Sequence, residues 1–216
     1  MRKGGNYLLN HIVLFFVAIG IGIGGAIIGW DLSTVIIVIG SLTLLNMGYY
    51  LYIVLNSKNV KRLEKIIESN KKDPMYGYLL ALKDENIENA VENLDTIIEK
   101  YKKTSNYNAY GFIKEILLNN YEAARKHAVE MKETPIGKYS LAAVDAYEGN
   151  GEQHFNTSFS KPWMVDSIKA THYYIHGDYE LYENHRDLVI AQSKGIQLLS
   201  NIYTSKIFEK TKHTNQ

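Results

Sequence analysis

Charge is almost absent from the chain up to Ser57. No Asp, Glu, Lys or Arg occurs between residues 4 and 30, none occurs between 32 and 57, and Asp31 alone separates the two stretches. Residues 12–30 and 32–55 are predominantly apolar, and at about 1.5 Å per helical residue each run can cross the roughly 30 Å hydrocarbon core. A soluble core helix seldom runs so far without a charge. A signal peptide is disfavoured because no small-x-small cleavage site precedes a polar start after Met1-Arg2-Lys3, and a second apolar run follows at once. The pattern predicts two transmembrane helices joined at Trp30-Asp31-Leu32-Ser33. So short a connection makes them antiparallel neighbours, a transmembrane helical hairpin over residues 1–57.

Past residue 57 the apolar positions fall at helical spacing with polar ones between them. Val60, Leu63, Ile66 and Ile67 alternate with Lys58, Lys61, Arg62 and Lys65. This predicts a basic amphipathic juxtamembrane helix over 58–73 that continues the second span, with its cations available to anionic lipid headgroups. Asn70-Lys71-Lys72-Asp73-Pro74 then breaks the chain, and Pro74 suits the first turn of a new helix. Residues 74–216 form the soluble domain. Helical spacing is clear in Ile87, Val91, Leu94, Ile97, Ile98 and Tyr101, in Tyr110, Ile113, Ile116 and Leu117, and in Ala124, Ala128 and Met131. Further helices are expected over 139–148, 162–176, 179–192 and 196–209, with turns at Gly149-Asn150-Gly151 and Gly177-Asp178. Residues 152–160, diluted by Asn156, Thr157 and Ser158, read equally as a short helix or a loop. Strand alternation is almost lacking, so the fold class is all-α.

Similar helix starts recur. Asn86-Ile87-Glu88-Asn89-Ala90 returns one period later as Asn120-Tyr121-Glu122-Ala123-Ala124. Gly177-Asp178-Tyr179-Glu180 begins another such helix, and Gly149-Asn150-Gly151-Glu152 is a poorer copy between them. Over roughly residues 75–192 this resembles the tetratricopeptide-like (TPR-like) family of antiparallel helix pairs. The unit at about 106–134 fits best, with Gly111 and Ala124 suited to close packing and Pro135 after its end. The later units depart from the motif. Their spacings, from Asn120 to Asn150 and from Asn150 to Asp178, are shorter, and Leu181-Tyr182 stands where a small residue is expected. The resemblance implies an α-solenoid whose usual task is to hold another protein, with the helix at 196–209 covering the last pair. A helical bundle without true repeats is the alternative architecture.

Charge fixes an orientation. Residues 1–72 hold eight Lys/Arg against three Asp/Glu, a balance of +5, and residues 73–216 hold sixteen against twenty, a balance of −4. Arg2 and Lys3 precede the first span, Lys58, Lys61, Arg62 and Lys65 follow the second, and the turn at Asp31 has no cation. The positive-inside rule then places both termini in the cytoplasm of a cell (inner) membrane, with Trp30 at one interface and Tyr49, Tyr50 and Tyr52 near the other. The negative soluble domain disfavours nucleic acid. The absence of cysteine excludes a disulfide scaffold, a thiol nucleophile and Cys-based metal sites.

Candidate chemistry is sparse. Gly20-x-Gly22-x-x-Gly25 spells a dinucleotide fingerprint, but no strand precedes it and its surroundings are apolar. As small residues in a membrane helix, Gly20, Gly24, Gly25 and Gly29 pack either against Gly40, Ser41 and Gly48 of the second span or against a second copy in a homodimer. Asn46 is the one strongly polar side chain in the second span, and no intramembrane ionisable residue supports a transport path. His172 and His176, four apart on one helix face, with His185 downstream, are the metal candidates. No Glu completes a protease motif between them, and the structural reading of these histidines is weighted above metal. Asp84, Glu85, Glu88, Glu92, Asp95 and Glu99 read as a solvated helix face before they read as a receptor for a basic peptide. Most of the 17 tyrosines are expected in the core, with Tyr107, Tyr110, Tyr174 and Tyr179 the interaction candidates. No catalytic motif and no cofactor is expected. The functional expectation is a membrane-anchored adaptor or scaffold that presents a TPR-like domain and binds an unidentified protein partner. The alternatives are a membrane-associated metal-dependent enzyme using His172, His176 and His185, and a small accessory subunit of a larger membrane complex.

Overall fold

The computed structural model describes residues 17–214, with side chains described to Lys210. Among the described residues all regular structure is helical: eleven α-helices and one short 3-10 helix. Residues 12–16 of the first expected span, and the flanking Arg2 and Lys3, lie outside the described residues.

Helix α1 (Val17–Ile27) ends at Gly29, whose positive φ of 76° lets Trp30 N–H donate back to the Gly25 carbonyl at 2.8 Å. Asp31 caps α2 (Leu32–Asn56) by accepting from Thr34 N–H at 3.1 Å. α2 is 25 residues of uncharged sequence, about 37 Å long, and is long and apolar enough to cross a membrane. Its surface shows the same preference. Ile36, Ile37, Leu44 and Leu45 are all more than 60% exposed, and only Ile53 and Val54 of the last turn are buried. Water would strongly oppose so continuous an apolar surface.

The helix expected to continue the second span is instead separate. Ser57 is extended, Asn59 N–H donates to Ser57 Oγ, and the Asn59 side chain caps α3 (Val60–Ser69) through Arg62 N–H at 3.0 Å. Leu63 and Ile67 are fully buried in protein core, which leaves Lys61 and Lys65 on the exposed face of α3.

The soluble helices follow in sequence: α4 (Pro74–Lys83), α5 (Ile87–Tyr101), α6 (Asn106–Leu117), α7 (Tyr121–Glu130), α8 (Pro135–Tyr147), the 3-10 helix Gly151–His154, α9 (Pro162–Ile175) and α10 (Tyr179–Gln192). From α4 to α10 each α-helix packs on the next. One turn recurs between them. Glu85, Asn119, Gly149 and Gly177 all have positive φ, and the residue after each donates its N–H to the carbonyl of position i−5. Asn86, Asn120 and Asp178 then cap α5, α7 and α10 with their side chains. Close helix approach repeats as well. A Cβ at Gly77 would meet the Asn93 side chain at 2.3 Å. Gly111 and His127 stand to that pair as Asn120 stands to Asn86, one period on, and a Cβ at Gly111 would meet His127 at 2.5 Å. Between α8 and α9 the pattern lapses, since Asn150 makes no side-chain cap, and the ambiguous 152–160 stretch is the end of the 3-10 turn followed by irregular chain.

Helix α11 (Gly195–Thr214) does more than cover the last pair. It begins against the end of α2, where Gly195 N–H donates to the Ser57 carbonyl at 2.8 Å, and it packs on α10, α4, α3 and α2. Leu198, Leu199 and Tyr203 are buried in one core with Leu63, Ile67, Leu79, Leu82 and Leu94. Tyr203 hydroxyl donates to Glu64 at 2.9 Å, and Glu64 pairs with Lys83 at 3.1 Å. Burial disfavours the Glu64 charge, but these two partners outweigh it and hold the carboxyl below its ordinary range.

Candidate functional site

The structure offers two concave features on opposite principles, one polar and one apolar. The polar basin contains the His pair. α9 places His172 and His176 one turn apart, with ring centroids 4.1 Å apart, and His176 Nδ1 shares a 2.9 Å hydrogen bond with the His172 carbonyl. His172 is buried, its Nδ1 has no partner, and its Nε2 lies 3.5 Å from Glu152 in the 3-10 helix. Burial holds this imidazole below its ordinary pKa, and neighbouring His176 adds to the effect against the opposing pull of Glu152. His185 does not join them. It bonds Asp166 at 2.9 Å and stacks on Tyr173, while Asp166 also accepts from Gln192 at 2.9 Å. Among the described residues no three of His, Cys, Asp and Glu are arranged to hold a metal ion.

The same basin holds a network that the sequence did not point to. Asp145 accepts from Arg125 at 2.6 Å and from Gln153 at 3.3 Å, and shares a 2.6 Å hydrogen bond with His154. Arg125 also bridges to Glu148 at 2.6 Å, joining α7 to α8. The Asp145 and Glu148 carboxylates raise the already high guanidinium pKa, against a smaller opposing effect of burial. With its carboxylates paired internally, the basin orients helices and leaves few free ligating groups.

The apolar feature is a cavity of about 560 Å³ enclosed by α4, α6, α8 and α9 on one side and α11 on the other. Aromatic rings of Tyr78, Tyr139, Tyr147, Trp163, Tyr174 and Phe208 line it, together with the hydroxyl and amide groups of Ser140, Ser167, Thr171, Ser200 and Asn201. None of its lining residues is Asp, Glu, Lys, Arg or His. Tyr139 hydroxyl bonds Ser167 Oγ at 3.0 Å, and Tyr174 hydroxyl donates to the Phe208 carbonyl at 3.0 Å. Burial pushes the phenols of Tyr78, Tyr139 and Tyr147 up, so all three stay neutral at ordinary pH.

The four candidate tyrosines do not form one surface. Tyr174 lines the cavity and meets Tyr179 edge-on at 6.0 Å, Tyr110 stacks on Tyr101 at 5.7 Å, and Tyr107 is 37% exposed beside His127. The acidic run is largely a solvated face, with Asp95 paired to Lys114 at 2.6 Å and Glu85 to Lys210 at 2.8 Å. Of the glycines of the first helix, Gly25 is buried against Val35 and Trp30, while Gly20, Gly24 and Gly29 have nothing within 4 Å of a built Cβ. Lys58 donates to the Ala191 carbonyl at 2.8 Å and Arg62 to Tyr49 hydroxyl at 2.9 Å, so two of the four basic residues tie the joint between α2 and α3 together. Comparison with protein-family models, with curated proteins and with solved structures finds no match.

Proposed function

We propose that this protein is a membrane-anchored scaffold: α1 and α2 form a hairpin anchor in a cell membrane, and α4–α10 form a TPR-like array that holds another protein on the cytoplasmic side. The observation that carries the reading is the turn repeated at Glu85-Asn86, Asn119-Asn120, Gly149-Asn150 and Gly177-Asp178, in a domain joined to an uncharged, exposed apolar helix. Stacked helix pairs that share one turn present an extended surface, and such surfaces serve mainly for recognition. The inner side is taken by α11, whose Leu199 and Tyr203 are 0% and 1% exposed, so a partner engages the outer surface around Tyr107, Leu118 and Val129. Cations after α2, with none in the turn before it, support the cytoplasmic assignment.

A second reading, an accessory subunit held through α1, draws on the open space beside Gly20 and Gly24. Photoreactive residues at Tyr107 and Leu118, compared with Gly24, separate the two in native membranes. A discrete adduct at the domain positions, lost on Tyr107→Ala in a control crosslinked at Leu118, is the expected result. Adducts at Gly24 alone would transfer recognition to the membrane helix and end the scaffold reading.

A further inference from the structure

Helix α8 lines the central cavity along one face: Ile136, Ser140, Ala143 and Tyr147, at spacings of four, three and four, span about 16 Å, with Tyr139 beside Ser140. Ile136 at one end is 41% exposed, and Ile175 of α9, which follows Tyr174 at the Tyr147 end, is 43% exposed, so the cavity has an exposed apolar residue at each end. Further along the stripe are unused polar groups. Ser140 is 1% exposed and its hydroxyl has no hydrogen-bond partner. The Tyr147 ring is held between Tyr121 and Phe208, at 5.4 and 6.1 Å, and its hydroxyl is not among the paired phenols of the cavity.

We infer that this cavity is a binding site for an uncharged single-chain amphiphile, its hydrocarbon against the rings and its hydroxyl or carbonyl oxygen at the Tyr147 end, with the unpaired Ser140 hydroxyl partway along the stripe. The volume falls within the roughly 300–1,000 Å³ of small-molecule sites, which are mostly apolar with a few placed polar groups. The wall selects against charge. With no Lys, Arg or His in the lining, a carboxylate or phosphate would be stripped of water without a counter-ion, and an ammonium would meet ring faces but no Asp or Glu to balance its charge. The source is the bilayer, because α11, one wall of the cavity, starts at the Ser57 carbonyl where α2 ends. That supply rests on the membrane reading above, whereas the chemistry of the cavity does not.

Trp163 in the lining is a built-in reporter, and the chain has one other tryptophan, Trp30. The full chain carrying Trp30→Phe, in nanodiscs, is titrated with ω-bromododecanol and separately with ω-bromododecanoate at pH 8, the bromine acting as a quencher. The alcohol should quench Trp163 saturably, and the carboxylate should need about tenfold more ligand or fail to saturate. Thr204→Phe on α11 and Ala143→Phe on α8 fill the cavity from opposite walls, and each should abolish saturation while helical circular dichroism is retained. Tyr147→Phe should narrow the difference between alcohol and carboxylate. Equal quenching by both probes, or saturation unchanged in a folded cavity-filling variant, overturns the site. A chain that purifies without lipid would remove the membrane reading, and the same titration in buffer would still decide the cavity.

Discussion

His172 is a residue whose environment makes a thermodynamic statement. Phe155 and Tyr173 meet its ring edge-on at 5.3 and 5.6 Å, His176 lies beside it, and Glu152 is the anion facing it. Its folded pKa lies below the 6.5 of a free imidazole, so below that pH the unfolded chain takes up a proton that the folded chain refuses. Stability from this group is therefore full above pH 6.5 and is lost as pH falls through the folded value. His127, depressed chiefly by its own burial, adds the same sign. The melting temperature should fall between pH 7 and pH 5, and His172→Gln should flatten that slope in thermal scans; a slope unchanged in the variant would remove His172 as its source. The His172–His176 pairing was legible because positions four apart share a helix face. The attachment of His185 to Asp166 was not, because it depends on the register of α10 against α9. Asp145 was illegible for the same reason: its partners come from α7 and from the 3-10 helix.

At the scale of elements, the repeated turns were readable because Asn or Asp after a positive-φ residue is local chemistry, written within a single short stretch of chain. The joint between α2 and α3 carried a local signal that was underused, because Asn59 caps α3 as Asn86 and Asn120 cap α5 and α7. The contact of α11 with the Ser57 carbonyl, made from the far end of the chain, was not readable. The placement of α11 had a signal that was underused: Leu198, Leu199, Ile202, Tyr203, Ile207 and Phe208 cover more than one face, as suits a helix packed on both sides. Gly195 bears the consequence. Its φ is +60°, and a Cβ there would lie 2.2 Å from the Val54 carbonyl oxygen and 2.6 Å from the Leu55 carbonyl carbon. Gly195→Ala meets both the left-handed backbone and a rigid main chain, for a cost of about 2–4 kcal/mol. Gly177→Ala also has positive φ but nothing within 4 Å, and should cost about 1 kcal/mol. Equal midpoints for the two variants in denaturant melts would show that α11 does not press on α2.

For the whole molecule, the proposed membrane anchor turns on the side of the membrane on which the helical domain would lie. α2 supplies an uncharged apolar surface over most of its length, and its last turn, Ile53 and Val54, is buried by the domain itself. The domain is therefore seated directly at one end of the helix, not tethered at a distance. Four cations within residues 58–65 flank that end, while the other end has only Asp31, which is committed to capping α2. Translocating the cationic end is disfavoured, so the proposed anchor would hold the domain in the cytoplasm. Because the chain has no cysteine, single substitutions report on this without background. Ser33 at the turn and Lys65 on α3 are both exposed. In intact cells a membrane-impermeant maleimide should label Ser33→Cys and spare Lys65→Cys, and permeabilisation should expose the second. The reverse pattern would put the array outside the cell and deprive a cytoplasmic scaffold of its partners. Labelling of both in intact cells would mean that α2 does not cross, and its exposed apolar surface would then require a protein cover.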